Sequence, residues 1–253
     1  MVFYYMTKEL KKINKNEVFL VSFPRSGNWW IRFILANLII EYEKIGAVSA
    51  FEIVRKIIPR DRSSHLEFKH FPKIIKTHMD YCEECINSIY VIRDPRDVMV
   101  SKYLFFKYKY RNNESKGKNH VFSEFAKENI KLWCKHVKSW KDKCDIIIKY
   151  EDLHNDTFKE VEKILNFLTV DIENTLIREA IIKSSFDNMR RYELLYRKKN
   201  KKGVVDSRYF YVRKGAVGDW KEYFGYCDIE FLKNQIEKHK LKDFLGSIGY
   251  NIM

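Results

Sequence analysis

Glycine and proline are scarce in this chain, at nine and four of 253 residues. No internal repeat and no Pro/Gly/Ser linker divides it, and the length suits one domain over residues 1–253, with two domains possible but not required. Long apolar runs are missing too: the longest, Phe33 to Ile40, is too short to cross a bilayer and contains Asn37, so no membrane span is expected. Residues 1–16 (MVFYYMTKELKKINKN) lack the apolar core and cleavage site of a secretory signal. The five cysteines, Cys82, Cys85, Cys134, Cys144 and Cys227, are an odd set without a signal, which excludes a disulfide framework and predicts a cytoplasmic setting. Cys82 and Cys85 follow His78 in a Cys-x-x-Cys pair, but structural zinc needs four ligands and no second pair has suitable spacing. They read as ordinary loop thiols, with a redox pair as the alternative, and no metal is expected.

What the chain does have is apolar mass and positive charge. Hydrophobic residues make up 45% and aromatics 15%, a composition for a folded core rather than a disordered chain. The formal net charge is +14, which favours anionic partners: a polyphosphorylated nucleotide, a nucleic acid or an acidic surface. Lysine-rich solvated surface explains part of that excess equally well.

Short β-rich runs alternate with helical periodicity. Strands are expected at Glu17–Phe23, Lys73–Thr77, Ser88–Ile92 and Asp145–Lys149. Helices are expected from Trp29 to about Lys44, over Ser49–Ile58, from Pro95 to about Phe106 with Asp94 as cap, and over Phe122–Lys141, Asp156–Leu168, Asn174–Ser184 and Asp228–His239. Residues 187–212 are charged and poorly patterned, and include the cluster Arg197–Lys202. The alternation implies an α/β domain with a mostly parallel sheet flanked by helices.

The strongest local feature is VFLVSFPRSGNWWIRFIL, a strand, a tight turn at Gly27 and a helix. That arrangement aims backbone N–H groups and a positive helix end at one spot, where Arg25 and Ser26 add a cation and a hydroxyl. The G-x-x-x-x-G-K-[ST] pattern of nucleoside triphosphatases is absent. An ordinary strand–helix turn remains an alternative for this segment alone.

Three further segments carry chemistry. IYVIRDPRDVMVSKY ends a strand on Arg93 and places Ser101 two turns into the next helix, a pair suited to a terminal phosphate. RKGAVGDW brings Arg213 and Lys214 to Gly215, where a backbone can be approached closely. IIKTH ends a strand with Lys76 and His78 on one side, a candidate base beside a cation.

Together and in this order, from about Val18 to Phe224, the four segments resemble the PAPS-dependent sulfotransferases, especially the soluble, cytosolic-type family. PAPS is 3′-phosphoadenosine-5′-phosphosulfate; its product is adenosine 3′,5′-bisphosphate, PAP. The resemblance implies a fold related to P-loop nucleotide kinases and transfer of a sulfuryl group, without metal, to a hydroxyl or amine of a small-molecule or glycan acceptor. It assigns a phosphate loop to residues 22–30, a 3′-phosphate segment to 89–103, a lid to 188–212 and a C-terminal nucleotide element to 213–220. Arg25, Ser26, Gly27, Asn28 and Trp29 would cradle the 5′-phosphosulfate, and Trp30 would stack on adenine. Arg93, Ser101, Arg213, Lys214 and Gly215 would hold the 3′-phosphate, with Tyr150, Ser184 and Phe186 on the adenine side. His78 would be the general base, with Lys76 and Arg25 stabilising charge. The acceptor would meet residues after His78, part of the lid, and Tyr103, Phe105, Phe106 and Tyr108.

The chain departs from the family's Pro-Lys-Ser-Gly element in having Arg25, which keeps the charge but releases no proton, and Trp29, which replaces a small hydroxyl residue. The dimerisation motif of many animal members is not recognisable after Trp220. Two other functions fit parts of the sequence. A magnesium-dependent kinase could use Asp94 as a metal-holding carboxylate, and a nucleic-acid-binding module could use the basic cluster.

Overall fold

The structure, a computed structural model, describes residues 17–46, 50–60, 66–110, 121–200 and 207–252. Four strands form one parallel sheet: β1 (Glu17–Ser22), β2 (Lys73–Thr77), β3 (Ser88–Ile92) and β4 (Ile146–Lys149), in the order β2-β1-β3-β4. β1 is buried along its whole length, which is why it reads as an unbroken apolar run. The period of two sorts its side chains nonetheless: Val18 and Leu20 enter one core, Phe19 and Val21 the other. β3 does the same, with Ile89 and Val91 on the first face and Tyr90 and Ile92 on the second.

Helices cover both faces. α1 (Asn28–Tyr42), α2 (Phe51–Ile57), α6 (Thr157–Leu168) and α7 (Asn174–Lys183) pack on the first, after the short α5 (Tyr150–Asn155) at the end of β4. α3 (Pro95–Lys109), α4 (Phe122–Trp140), α9 (Tyr226–Lys238) and α10 (Lys242–Ser247) pack on the second. α1 is apolar nearly all round and has eleven buried residues, as a helix enclosed by its neighbours requires. Asp94 caps α3 by accepting from the Arg96 amide at 2.8 Å, with Pro95 in the first turn.

Within the charged, poorly patterned residues 187–212 the structure holds a helix that sequence periodicity did not predict, α8 (Phe186–Asn200); residues 201–206 of the expected lid lie outside the described residues. The helix was hidden because its buried face is Met189, Glu193 and Arg197, two of them charged. α5 and α10, each six residues, were not expected.

Candidate active site at the carboxyl ends of the strands

All four strands end at one cavity of about 600 Å³, on the side where open α/β sheets bind ligands, beside the point at which strand order reverses between β1 and β3. The phosphate loop follows β1, Lys76 and His78 end β2, Arg93 follows β3, and Tyr150 follows β4.

The loop turns through Gly27, whose φ of +96° favours glycine. A Cβ there would lie 2.4 Å from Tyr150 Cδ2, so the residue must be glycine for space as well. Gly27 gives α1 no side-chain cap, which leaves the Asn28 and Trp29 amides for a ligand, while the Trp30 amide donates to the Gly27 carbonyl at 2.9 Å. Arg25 also has a positive φ, 79°, and its guanidinium reaches across the site. Its Nε donates to Ser101 Oγ at 3.1 Å, and one NH2 donates to the carbonyls of Phe210 and Tyr211 at 3.4 and 3.3 Å. Burial, with Arg93 and Arg213 nearby and Glu193 opposing, lowers its pKa to about 10, so it stays charged.

His78 Nδ1 lies 2.5 Å from the carbonyl oxygen of Ser22. A carbonyl only accepts, so Nδ1 carries the proton and Nε2 keeps its lone pair. Ser22 Oγ, 3.3 Å from the same nitrogen, accepts from Asn28 Nδ2 at 3.2 Å and ties the imidazole to the loop. Burial and the neighbouring Lys76 hold the imidazole pKa well below its ordinary value, so the ring is neutral at pH 7. Lys76, 5% exposed, is lowered to about 6 by burial and by the charges of Arg60 and Arg32.

Arg93 lies over the Tyr150 ring at 4.2 Å and donates to Ala216 O at 2.8 Å and Arg25 O at 3.4 Å. Arg213 and Lys214 both bind Asp219, at 2.6 and 2.5 Å. Gly215, at φ +66°, has no room for a Cβ, which would meet Phe186 at 2.8 Å. Trp30 stands edge-on to Tyr150 and His154, and Phe186 lines the same end. Trp29 lines the cavity with its ring packed against Phe51 and Tyr211, at 4.6 and 5.2 Å.

Most expected site residues therefore meet. Ser184 does not: it is fully buried outside the cavity lining, where its hydroxyl accepts from Asn37 Nδ2 at 2.8 Å. Ser26 lies just beneath the lining, 1% exposed. On the acceptor side Phe105 and Phe106 face the cavity, whereas Tyr103 packs on Phe122 and Phe125, and Tyr108 sits under Arg208. Nothing after His78 in that segment lines it. The Cys82 and Cys85 sulfurs are 2.8 Å apart, and no group able to hold a metal ion occurs among the described residues.

Sequence reasoning missed three carboxylates that shape the site. Asp97 accepts from the amides of Gly218 and Trp220, at 2.7 and 3.0 Å, and fixes the C-terminal element. Asp219 orients Arg213 and Lys214. Glu193 accepts from the amides of Tyr211 and Val212, at 2.8 and 3.0 Å, and pairs with Arg197. The only sequence signal was their presence within or beside the basic motifs.

The site suits a doubly phosphorylated nucleotide. The buried Ser26 Oγ, Asn28 Oδ1, Trp30 Nε1, Arg93 Nε and Arg213 Nε have no hydrogen-bond partner, and all belong to the loop or its facing segments. Both glycine cradles open onto the same place.

The sulfotransferase domain family model matches residues 15–244. Rat sulfotransferase 1E1 is 28% identical over 93% of this chain and 86% of its own length. The structure of mouse SULT7A1 complexed with PAP superposes with a TM-score of 0.62 at 21% identity, covering 92% of this chain and 90% of that one. Retinol dehydratase in complex with retinol and PAP gives 0.68 at 18% identity, with 92% and 83% covered. At those identities the two structures speak to the fold, which is the P-loop nucleotide-kinase-like one. The match over nearly the whole chain shows that the protein belongs to the sulfotransferase family and is a PAPS-dependent sulfotransferase.

Proposed function

We propose that the chain transfers the sulfuryl group of PAPS to a hydroxyl of a small-molecule acceptor, with His78 as general base. The observation that carries this reading is the convergence of four separated segments on one cavity, with the His78 tautomer fixed by Ser22. In this reading Arg25, Ser26 and the Gly27–Trp29 amides hold the 5′-phosphosulfate. Arg93, Ser101, Arg213, Lys214 and Gly215 hold the 3′-phosphate, and Trp30, Tyr150 and Phe186 enclose the adenine. Ser184 supports this wall from behind through Asn37 rather than touching the nucleotide.

The donor supplies an activated sulfuryl group. The acceptor oxygen forms a bond to sulfur while the bond from sulfur to the bridging phosphate oxygen breaks, PAP leaves with that electron pair, and the acceptor proton moves to His78 Nε2. Lys76 and Arg25 meet the negative charge that develops on the leaving oxygen. Arg25 also bridges the two phosphate ends through Ser101, which a lysine could not do with the same planar fork.

The kinase reading loses its support. Asp94, the carboxylate a magnesium-dependent kinase would use, caps α3 and is gripped by the Arg96 guanidinium at 2.6 Å, outside the cavity. In the basic cluster, Lys199 pairs with Glu52, and Lys201 and Lys202 lie outside the described residues. Helices of the described residues are too short or too polar to cross a membrane, and a cytoplasmic site of action remains our reading of the cysteines.

The test is metal-free incorporation of labelled sulfate from PAPS into a panel of phenols, alcohols, amines and glycans. Transfer to small hydroxyl compounds is expected, and incorporation confined to polymeric glycans would overturn the acceptor assignment.

A further inference from the structure

The cavity carries more positive charge than its nucleotide uses. Among the described residues, nine arginines and lysines line it and no aspartate or glutamate does. A donor with one phosphate and one phosphosulfate brings about four negative charges at most. On the donor reading above, Arg25, Arg93, Arg213, Lys214 and Lys76 meet these, and Asp219 already neutralises part of that set. Arg32, Arg60, Lys102 and Lys109 are left over.

Arg32 is the telling member. It is 1% exposed, stacks on Trp29 at 4.4 Å, donates one NH2 to the Ile58 carbonyl, and leaves its Nε without a partner. Burying a guanidinium without a carboxylate is costly unless an anion arrives. Elsewhere the protein follows that rule: buried Arg197 is paired with Glu193. Arg32 and Arg60 also sit on the Lys76 side of the cavity: Arg32 reaches the Ile58 carbonyl, and the Lys76 amide donates to the carbonyl of Pro59, next to Arg60, at 2.8 Å. Trp29, beneath Arg32, supplies an apolar wall there, continued by Tyr211 at 5.2 Å and by Phe105 beyond it.

We propose that the acceptor carries a carboxylate on an apolar body, besides the hydroxyl presented to His78, and that Arg32 and Arg60 bind this carboxylate. The planar guanidinium fork matches a carboxylate in a way a lysine does not. The proposal rests on the sulfotransferase donor site described above.

The experiment compares 3-(4-hydroxyphenyl)propionate, its methyl ester and tyramine as acceptors for the full chain with PAPS. The three share a phenol and differ in charge. The acid should exceed the ester in kcat/KM by about tenfold or more, the worth of one charge-assisted pair. Arg60 is exposed, so Arg60→Glu should fold; it should cut the acid-to-ester ratio by about tenfold and raise the relative rate of tyramine. Preference for the ester or amine in the wild type, a ratio unmoved by Arg60→Glu, or failure to sulfate the acid overturns the proposal. PAP calorimetry on the same protein separates the causes. With PAP bound, those outcomes sink only the anionic acceptor; without PAP binding, the donor site falls and the proposal with it.

Discussion

The imidazole of His78 donates from Nδ1 to the carbonyl of Ser22, across the ends of neighbouring strands. The bond fixes the tautomer and leaves Nε2 as the only ring position able to take a proton. His78→Gln should lower kcat by about 10²–10⁴-fold, the range for a lost general base. PAP affinity should stay within about threefold, because the imidazole serves the proton of the acceptor. Single-turnover kinetics alongside PAP calorimetry separates the two effects. A variant with near wild-type kcat would remove His78 from the reaction.

Lys76 sets a pH dependence whose sign is definite. Its pKa falls to about 6 by burial and by Arg60 and Arg32, below the unfolded value of 10.5. Between those values the unfolded chain binds the extra proton, so this residue opposes folding at neutral pH and the penalty fades as pH rises. Lys76→Met should therefore raise the melting temperature of the unliganded protein at pH 7 by several degrees while abolishing transfer. Phosphate binding restores the proton, so PAP titrations at pH 7.5 in buffers of different ionisation enthalpy should show proton uptake, absent in Lys76→Met. Equal uptake in both proteins would assign the proton elsewhere.

Gly27 is required twice over, by its φ of +96° and by the Tyr150 ring. Gly27→Ala should lower stability by about 1–3 kcal/mol and weaken PAP binding at least about tenfold. Gly46 is the control: a Cβ there would meet nothing within 4 Å, and its φ is not positive. Gly46→Ala should change neither quantity beyond error. Differential calorimetry and PAP titration read both.

The Phe210–Val212 backbone is held from two sides: Arg25 takes the carbonyls of Phe210 and Tyr211, and Glu193 takes the amides of Tyr211 and Val212. Glu193→Gln leaves Arg197 buried without its counter-charge and should cost about 3–5 kcal/mol in urea unfolding. A loss below about 1 kcal/mol would show that the pair does not anchor this segment.

The sheet and the phosphate loop were legible because their signals are local. β1 and β3 are short apolar runs, and Gly27 sits between a strand and a helix. α8 was illegible because its buried face uses Glu193 and Arg197, whose burial depends on partners and not on hydropathy. Ser184 was misplaced for a related reason: its hydroxyl answers Asn37, 147 positions away, and no local pattern reports that. Arg32 was visible as a charge within an apolar helix, but its alignment with Arg60 and Lys76 arises only when β2 packs beside β1.

The donor site is tested most directly by calorimetric titration of PAP without metal, beside ATP with magnesium, on the wild type and Arg93→Ala. Arg93 spans Arg25, Ala216 and Tyr150 at the centre of the proposed 3′-phosphate site. The predicted result is PAP binding at about micromolar Kd or tighter, weakened at least about tenfold in Arg93→Ala, with no comparable binding of magnesium ATP. Magnesium ATP binding without PAP binding would contradict it.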